Sequence, residues 1–180
     1  GKSALNALTS GASNTAIGYQ SMLTATGAQN NTMVGYQTGY QMRAGEAFNT
    51  VFGSQAFSGS HATADTDYCV AIGRLALSGA LNNADGTVAI GLSALAALTS
   101  GVKNIAIGFQ ALSTIDTGAN NTAIGYQAMV DTDNSGGSDD TKDSDHNTFI
   151  GSHCGGGTWA AGKSEANTAV GSSAMIGALD

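Results

Sequence analysis

The chain has 180 residues, with 26 glycines, no proline, 11 aromatic residues and a formal charge of −7, where average usage puts roughly 13 glycines and about 9 prolines. At 42% hydrophobic and 11% charged it is too apolar for intrinsic disorder, yet it holds no run of ~18 apolar residues to span a membrane. The acidic balance argues against a nucleic-acid partner, whose phosphates call for a basic face.

Gly1-Lys2-Ser3-Ala4 leads into no apolar signal core, and the missing initiator Met is read as the mark of a fragment or processed chain. Cys69 and Cys154 lie far apart in unlike contexts, which fits neither a metal spacing nor a disulfide framework.

Taken along the chain, a five-residue phrase, usually Asn-Thr-Ala-Ile-Gly, recurs nine times and ends at Gly18, Gly35, Gly53, Gly73, Gly91, Gly108, Gly125, Gly151 and Gly171. Counted from Gly1, which fits as the tail of a tenth copy, the intervals are 17, 17, 18, 20, 18, 17, 17, 26 and 20 residues. Residues 1–180 therefore read as a single repeat array with no second domain. Before each glycine stands Ile, Val or Phe, from Ile17 to Val170, and two residues earlier a β-branched side chain, from Thr15 to Thr168. The position between them is Ala in six copies, with Met33, Val51 and Phe149 as the exceptions. Residues two apart share a strand face. No charge occurs in the run before any of the nine glycines, so each strand is expected to be covered on both sides.

The glycine marks a recurring positive φ or close approach. Four residues before it stands Asn14, Asn31, Asn49, Asn104, Asn121, Asn147 or Asn167, with Cys69 and Thr87 in the other two copies. Asn suits a left-handed backbone and local hydrogen bonds, and stacked amides can form a ladder. After the glycine comes a second segment such as Tyr126-Gln127-Ala128-Met129, then a polar turn such as Thr117-Gly118. One unit reads as strand, Gly corner, second short strand and loop.

Units of this length cannot enclose a core alone, so they must stack. The expected fold is all-β, a parallel β-solenoid or β-roll of about ten 17–20-residue rungs, roughly 45–50 Å long at ~4.8 Å per rung. An uninterrupted ladder explains the missing proline. A strand-helix solenoid, with Ser93 to Leu98 helical, is the alternative architecture. A slim roll buries one strand face and leaves the Ala-bearing or the Ile-bearing face for another surface, and the simplest partner is a second copy of the chain. Small Ala would allow close approach around a shared axis. The expected assembly is a homo-oligomer, a parallel trimer.

Asn121 to Met129, Asn-Thr-Ala-Ile-Gly-Tyr-Gln-Ala-Met, resembles the repeats of phage tail fibres and is similar to those in the head domains of trimeric autotransporter adhesins. The resemblance covers residues 1–180 and implies left-handed parallel β-rolls assembled as a homotrimer, exposed on a virion tail fibre or a cell surface. It implies a stiff shaft or an attachment surface, with a host glycan or protein receptor as partner. The chain departs from adhesin heads in its longer units and irregular insertions.

Two excursions stand out. The acidic insertion 131–146 holds six acids and one lysine through Asp145, −5 of the net −7. Asp131, Asp133 and Ser135, with Asp139 farther on, place oxygens as an EF-hand loop begins, but Lys142 stands where a bidentate Glu belongs. The alternatives are a Ca²⁺ site and a solvated acidic loop; no other cofactor is expected. The loop 153–166 carries Trp159, the only tryptophan, a candidate for sugar stacking or for packing at the roll edge. Tyr68 and His61, in the interval before Gly73, form a weaker binding candidate. His146 and His153 lack a second ligand at metal spacing, and Tyr19, Tyr36, Phe109 and Tyr126 recur at one position as a packing column.

No nucleophile–base pair or paired carboxylates are readable, so no enzyme is expected. The readings left are a fibre segment that attaches through inserted loops, a pure spacer, and, more remotely, a glycan-degrading tailspike or an ice-binding Thr array.

Overall fold

A computed structural model of the chain describes residues 1–61, 64–130, 144–157 and 165–177. Nine parallel strands form one sheet in sequence order, and together they make a β-solenoid: β1 (Thr15–Ile17), β2 (Thr32–Val34), β3 (Thr50–Phe52), β4 (Val70–Ile72), β5 (Val88–Ile90), β6 (Ile105–Ile107), β7 (Thr122–Ile124), β8 (Thr148–Ile150) and β9 (Thr168–Val170). Each pairs with the next in the register of the repeat, Thr15 beside Thr32 and Ile17 beside Val34, and so to Ile150 beside Val170. Extra residues in the longer intervals therefore leave strand alignment untouched. The residue opening each strand from Thr15 to Thr148 donates to the Asn-column carbonyl of the next rung, as Ile105 does to Asn121 at 2.7 Å. The glycine closing each strand from Gly35 on donates back to the rung before, as Gly125 does to Ile107 at 2.8 Å.

The central strand residue points inward. Met33, Val51, Ala71, Ala89, Ala106, Ala123, Phe149 and Ala169 are buried, while the residues on either side are half-buried or exposed. Within the single chain only the inner strand face is covered, and the outer face meets solvent. Small Ala fills the slim interior; it does not lie on a surface where chains could approach.

The segment after each glycine is not a second strand. Gln20 and Met22 have φ of 53° and 52°, and Gln110 and Leu112 have 52° and 51°, so positive φ at alternate residues coils the backbone into turns. Its hydrogen bonds still run between rungs: Gln110 N–H donates to Leu92 at 2.9 Å on one side and Leu112 N–H to Ala128 at 3.0 Å on the other. The geometry follows from packing. A strand sends neighbouring side chains to opposite faces, whereas Ala76 and Leu77, Ala94 and Leu95, Ala111 and Leu112, and Ala128 and Met129 are adjacent pairs with both members buried. Positive φ at Ser93 (54°) and Leu95 (51°) also rules out a helix from Ser93 to Leu98, and no helix occurs among the described residues.

The expected amide ladder is present. Asn31 N–H donates to Asn14 Oδ1 at 3.1 Å and Asn49 N–H to Asn31 Oδ1 at 2.9 Å; farther along, Asn104, Asn121, Asn147 and Asn167 repeat the relation. The left-handed residue is the one before the Asn, as at Asn30 (56°) and Asn120 (61°). The Asn side chain instead ties its own rung to both neighbours. Asn121 Nδ2 donates back to Asn104 Oδ1 at 3.2 Å; toward the following rung, Asn121 Nδ2 donates to Ser144 O at 2.5 Å and Asn121 Oδ1 accepts from Asn147 N–H at 3.1 Å. Asn121→Ala leaves both groups buried without these partners, and a loss of about 2–4 kcal/mol is expected in urea unfolding. A loss under about 0.5 kcal/mol, the scale of an ordinary surface change, would show the ladder to be decorative.

Candidate functional site

The outer face of the sheet runs along all nine strands. It carries two columns on every strand, the β-branched residues from Thr15 to Thr168 and the Ile, Val or Phe residues from Ile17 to Val170. A third column, one residue past each glycine, runs beside them. Ile17, Phe52, Ile72, Ile105, Ile150 and Val170 are exposed, as are Tyr19, Tyr36, Leu92, Phe109 and Tyr126 in the third column. The tyrosine column forms as expected, with Tyr19 on Tyr36 at 5.6 Å and Phe109 on Tyr126 at 5.2 Å, both parallel-stacked. Lys2, after Gly1, and Arg74 are the two charges in these three columns. The Ile, Val or Phe column is an apolar stripe running the length of the sheet, and it is the candidate interaction surface.

A second exposed feature lies at the corner where the chain enters each strand. Tyr68 (62% exposed) stacks on Phe48 (50%) at 5.2 Å and 4°, one rung apart. The sequence pairs Tyr68 with His61 as a binding candidate, but the two face different surroundings. His61 is buried, its Nδ1 hydrogen-bonded to Glu46 Oε1 and its ring edge-on to Phe57 at 4.7 Å. Glu46 also accepts from Arg43 N–H at 2.9 Å. This polar pair was not legible as a pair, because its members are separated by most of a rung and meet inside the roll. His61 offers no ring to a surface ligand.

Three carboxylates share that corner. Asp67 accepts from Ala47 N–H at 2.7 Å, Asp85 accepts from Asp67 N–H at 2.8 Å, and Asp65 lies 3.5 Å from Arg43 Nε. Burial, with the like charges of Asp85 and Asp65, holds the Asp67 carboxyl above its ordinary value of 3.8, against the Ala47 hydrogen bond. A raised carboxyl favours the fold fully only below that ordinary value, and the benefit is lost as pH rises through the folded value, so ionised Asp67 costs stability at neutral pH. Asp67→Asn keeps the acceptor and removes the charge. We expect a gain of a few tenths of a kcal/mol at neutral pH, discounted for its partial exposure, that vanishes in acid; melting curves at both pH values check it.

Cys69 and Cys154 are buried free thiols. Burial pushes Cys69 up to about 12, and Cys69 stands in the Asn column, where its N–H donates to Asn49 Oδ1 at 2.9 Å. His146 is exposed at one of the positive-φ corners, and the His153 ring leans on Tyr126 at 5.1 Å. Among the described residues no three His, Cys, Asp or Glu side chains are grouped to hold a metal, and no helix is long and apolar enough to cross a membrane. The candidate Ca²⁺ ligands Asp131, Asp133, Ser135 and Asp139 lie outside the described residues, as does Trp159. No family model, curated protein or solved structure matches the chain.

Proposed function

We propose that the chain is a segment of a virion tail fibre or cell-surface adhesin, a stiff shaft that attaches to a host surface through loops inserted between its rungs. The observation that carries this reading is the Ile, Val or Phe column, apolar from Ile17 to Val170, on the outer face of an uninterrupted parallel sheet. A rod with such a face fits self-association better than catalysis. A second copy of the chain repeats with the same spacing, so it can meet the face rung for rung. The columns hold almost no charge, so association does not oppose the net −7.

The assembly is a parallel homotrimer of left-handed rolls with the Ile columns toward the axis. The segment at Gly1 forms a tenth rung. In support, Gln20 N–H donates to Lys2 O at 3.0 Å and Leu5 N–H to Ser21 O at 3.0 Å, the relation seen at every later rung. Loops on a rigid scaffold are where binding specificity resides, and the longest interval, with the acidic insertion 131–146, is followed in sequence by the Trp159 loop 153–166, toward the C-terminal end of the array.

Light scattering on a sizing column tests the assembly. A chain of 17.8 kDa should run as a species of about 53 kDa for a closed three-fold oligomer. Ile107→Lys with Ile124→Lys, on the outer face, should release monomers that keep their circular dichroism. A monomeric wild type overturns the reading.

A further inference from the structure

At the corner before each strand, eight of the nine rungs carry a side chain on a backbone of positive φ: Ser13, Asn30, Phe48, Tyr68, Lys103, Asn120, His146 and Ala166. The ninth is Gly86, with φ 66°. Neither backbone nor space demands glycine there. Phe48 and Tyr68 hold aromatic rings at φ 61° and 59°, and a Cβ on Gly86 would touch only Lys103 Cγ, at 3.6 Å. The column is in register, since Phe48, Tyr68, Gly86 and Lys103 each donate to the carbonyl at one fixed position of the preceding rung.

Gly86 therefore leaves a gap one ring deep beside an aromatic pair. One face of Tyr68 rests on Phe48 at 5.2 Å, and the other looks toward the place where the next side chain of the column is missing. Beyond that place stands exposed Lys103, and Asp67 and Asp85 directly precede Tyr68 and Gly86, with Asp85 Oδ1 accepting from Asp67 N–H at 2.8 Å. A ring seated there would lie about one rung spacing, ~4.8 Å, from Tyr68, within the stacking range of ring pairs. We infer that the Tyr68–Gly86–Lys103 notch binds a pyranose ring of a surface glycan. The sugar's apolar face stacks on Tyr68, and its hydroxyls meet the carboxylates and the ammonium at the rim. This inference rests on the reading of the chain as an attachment fibre, and it supplies that reading with a glycan site apart from the inserted loops.

Saturation-transfer NMR with the 180-residue chain and a panel of methyl hexopyranosides tests it, with tetramethylammonium chloride as the cationic probe. At least one pyranoside is expected to receive saturation, and the signal is expected to fall at least fivefold in Tyr68→Ala and in Gly86→Phe, which fills the gap with a third ring. Both variants should keep the wild-type melting temperature within a few degrees. No transfer to any pyranoside, undiminished transfer to Gly86→Phe, or transfer to tetramethylammonium alone each overturns the inference. The readout does not depend on assembly. A trimer that binds no pyranoside defeats the notch and leaves the fibre standing, whereas a monomer that binds one through Tyr68 does the reverse.

Discussion

Gly108→Ala is expected to break the solenoid at its middle, with a loss above about 4 kcal/mol, the range reserved for severe mechanisms. The new Cβ would stand 2.1 Å from Gly125 O and 2.6 Å from Gly125 C, on a backbone with φ +140°. The obstacle is the backbone of the next rung, so no side-chain rotation relieves it. Moving the rungs apart would stretch the bonds Gly125 N–H makes to Ile107 O and Gln127 N–H makes to Phe109 O, at 2.8 and 2.9 Å. Because each rung touches only its neighbours, hydrogen exchange should accelerate most around residues 105–127 and least near β1. Gln110→Ala is the control. It keeps a positive-φ residue (52°) and loses only the side-chain bond to Gln127, 2.9 Å long, so it should cost about 1 kcal/mol. A Gly108→Ala chain as stable as this control would show that the rungs are not packed glycine on glycine.

The second large effect is at Phe149. The strand-centre position is Ala in most rungs, and the buried position four residues past the glycine is Leu, Met or Phe, as at Leu95 and Met129. In the β8 rung the sizes are exchanged: Phe149 fills the interior, and Gly155 stands where a large side chain belongs, its hypothetical Cβ 2.6 Å from Phe149 Cδ1. The β2 rung makes the same exchange, with Met33 Sδ 3.2 Å from a Cβ on Gly39. Phe149→Ala should cost about 3–5 kcal/mol through the cavity it leaves. Adding Gly155→Met restores the usual arrangement, and its φ of 69° is close to the 53° at which Met129 already sits. The double variant should recover at least half of the loss in urea unfolding. If Gly155→Met alone costs nothing, Phe149 does not occupy that space.

The strand columns and the Asn ladder were legible because each depends on one offset from a glycine. The second segment reads as a strand in sequence, although adjacent apolar pairs such as Ala111 and Leu112 break the alternation of a strand with one buried face. The direction of the Ala face stayed open in sequence because both faces lack charge; interior width decides it, and width appears only once the turns are built. Phe48 was recoverable, since it precedes Asn49 as Tyr68 precedes Cys69. Glu46 with His61, and the gap at Gly86, appear only when successive rungs are laid side by side.

Parallel self-association through the outer face is tested most directly by pairwise distances between spin labels on a single substituted residue. The native thiols are buried, so labels at Val34→Cys, Ile107→Cys and Val170→Cys, introduced one at a time, report on the outer column. Parallel, in-register chains place each label against its own copies, so all three positions should give one short intermolecular distance of the same length. Distances that differ among the three positions, or no intermolecular coupling at all, would contradict the account.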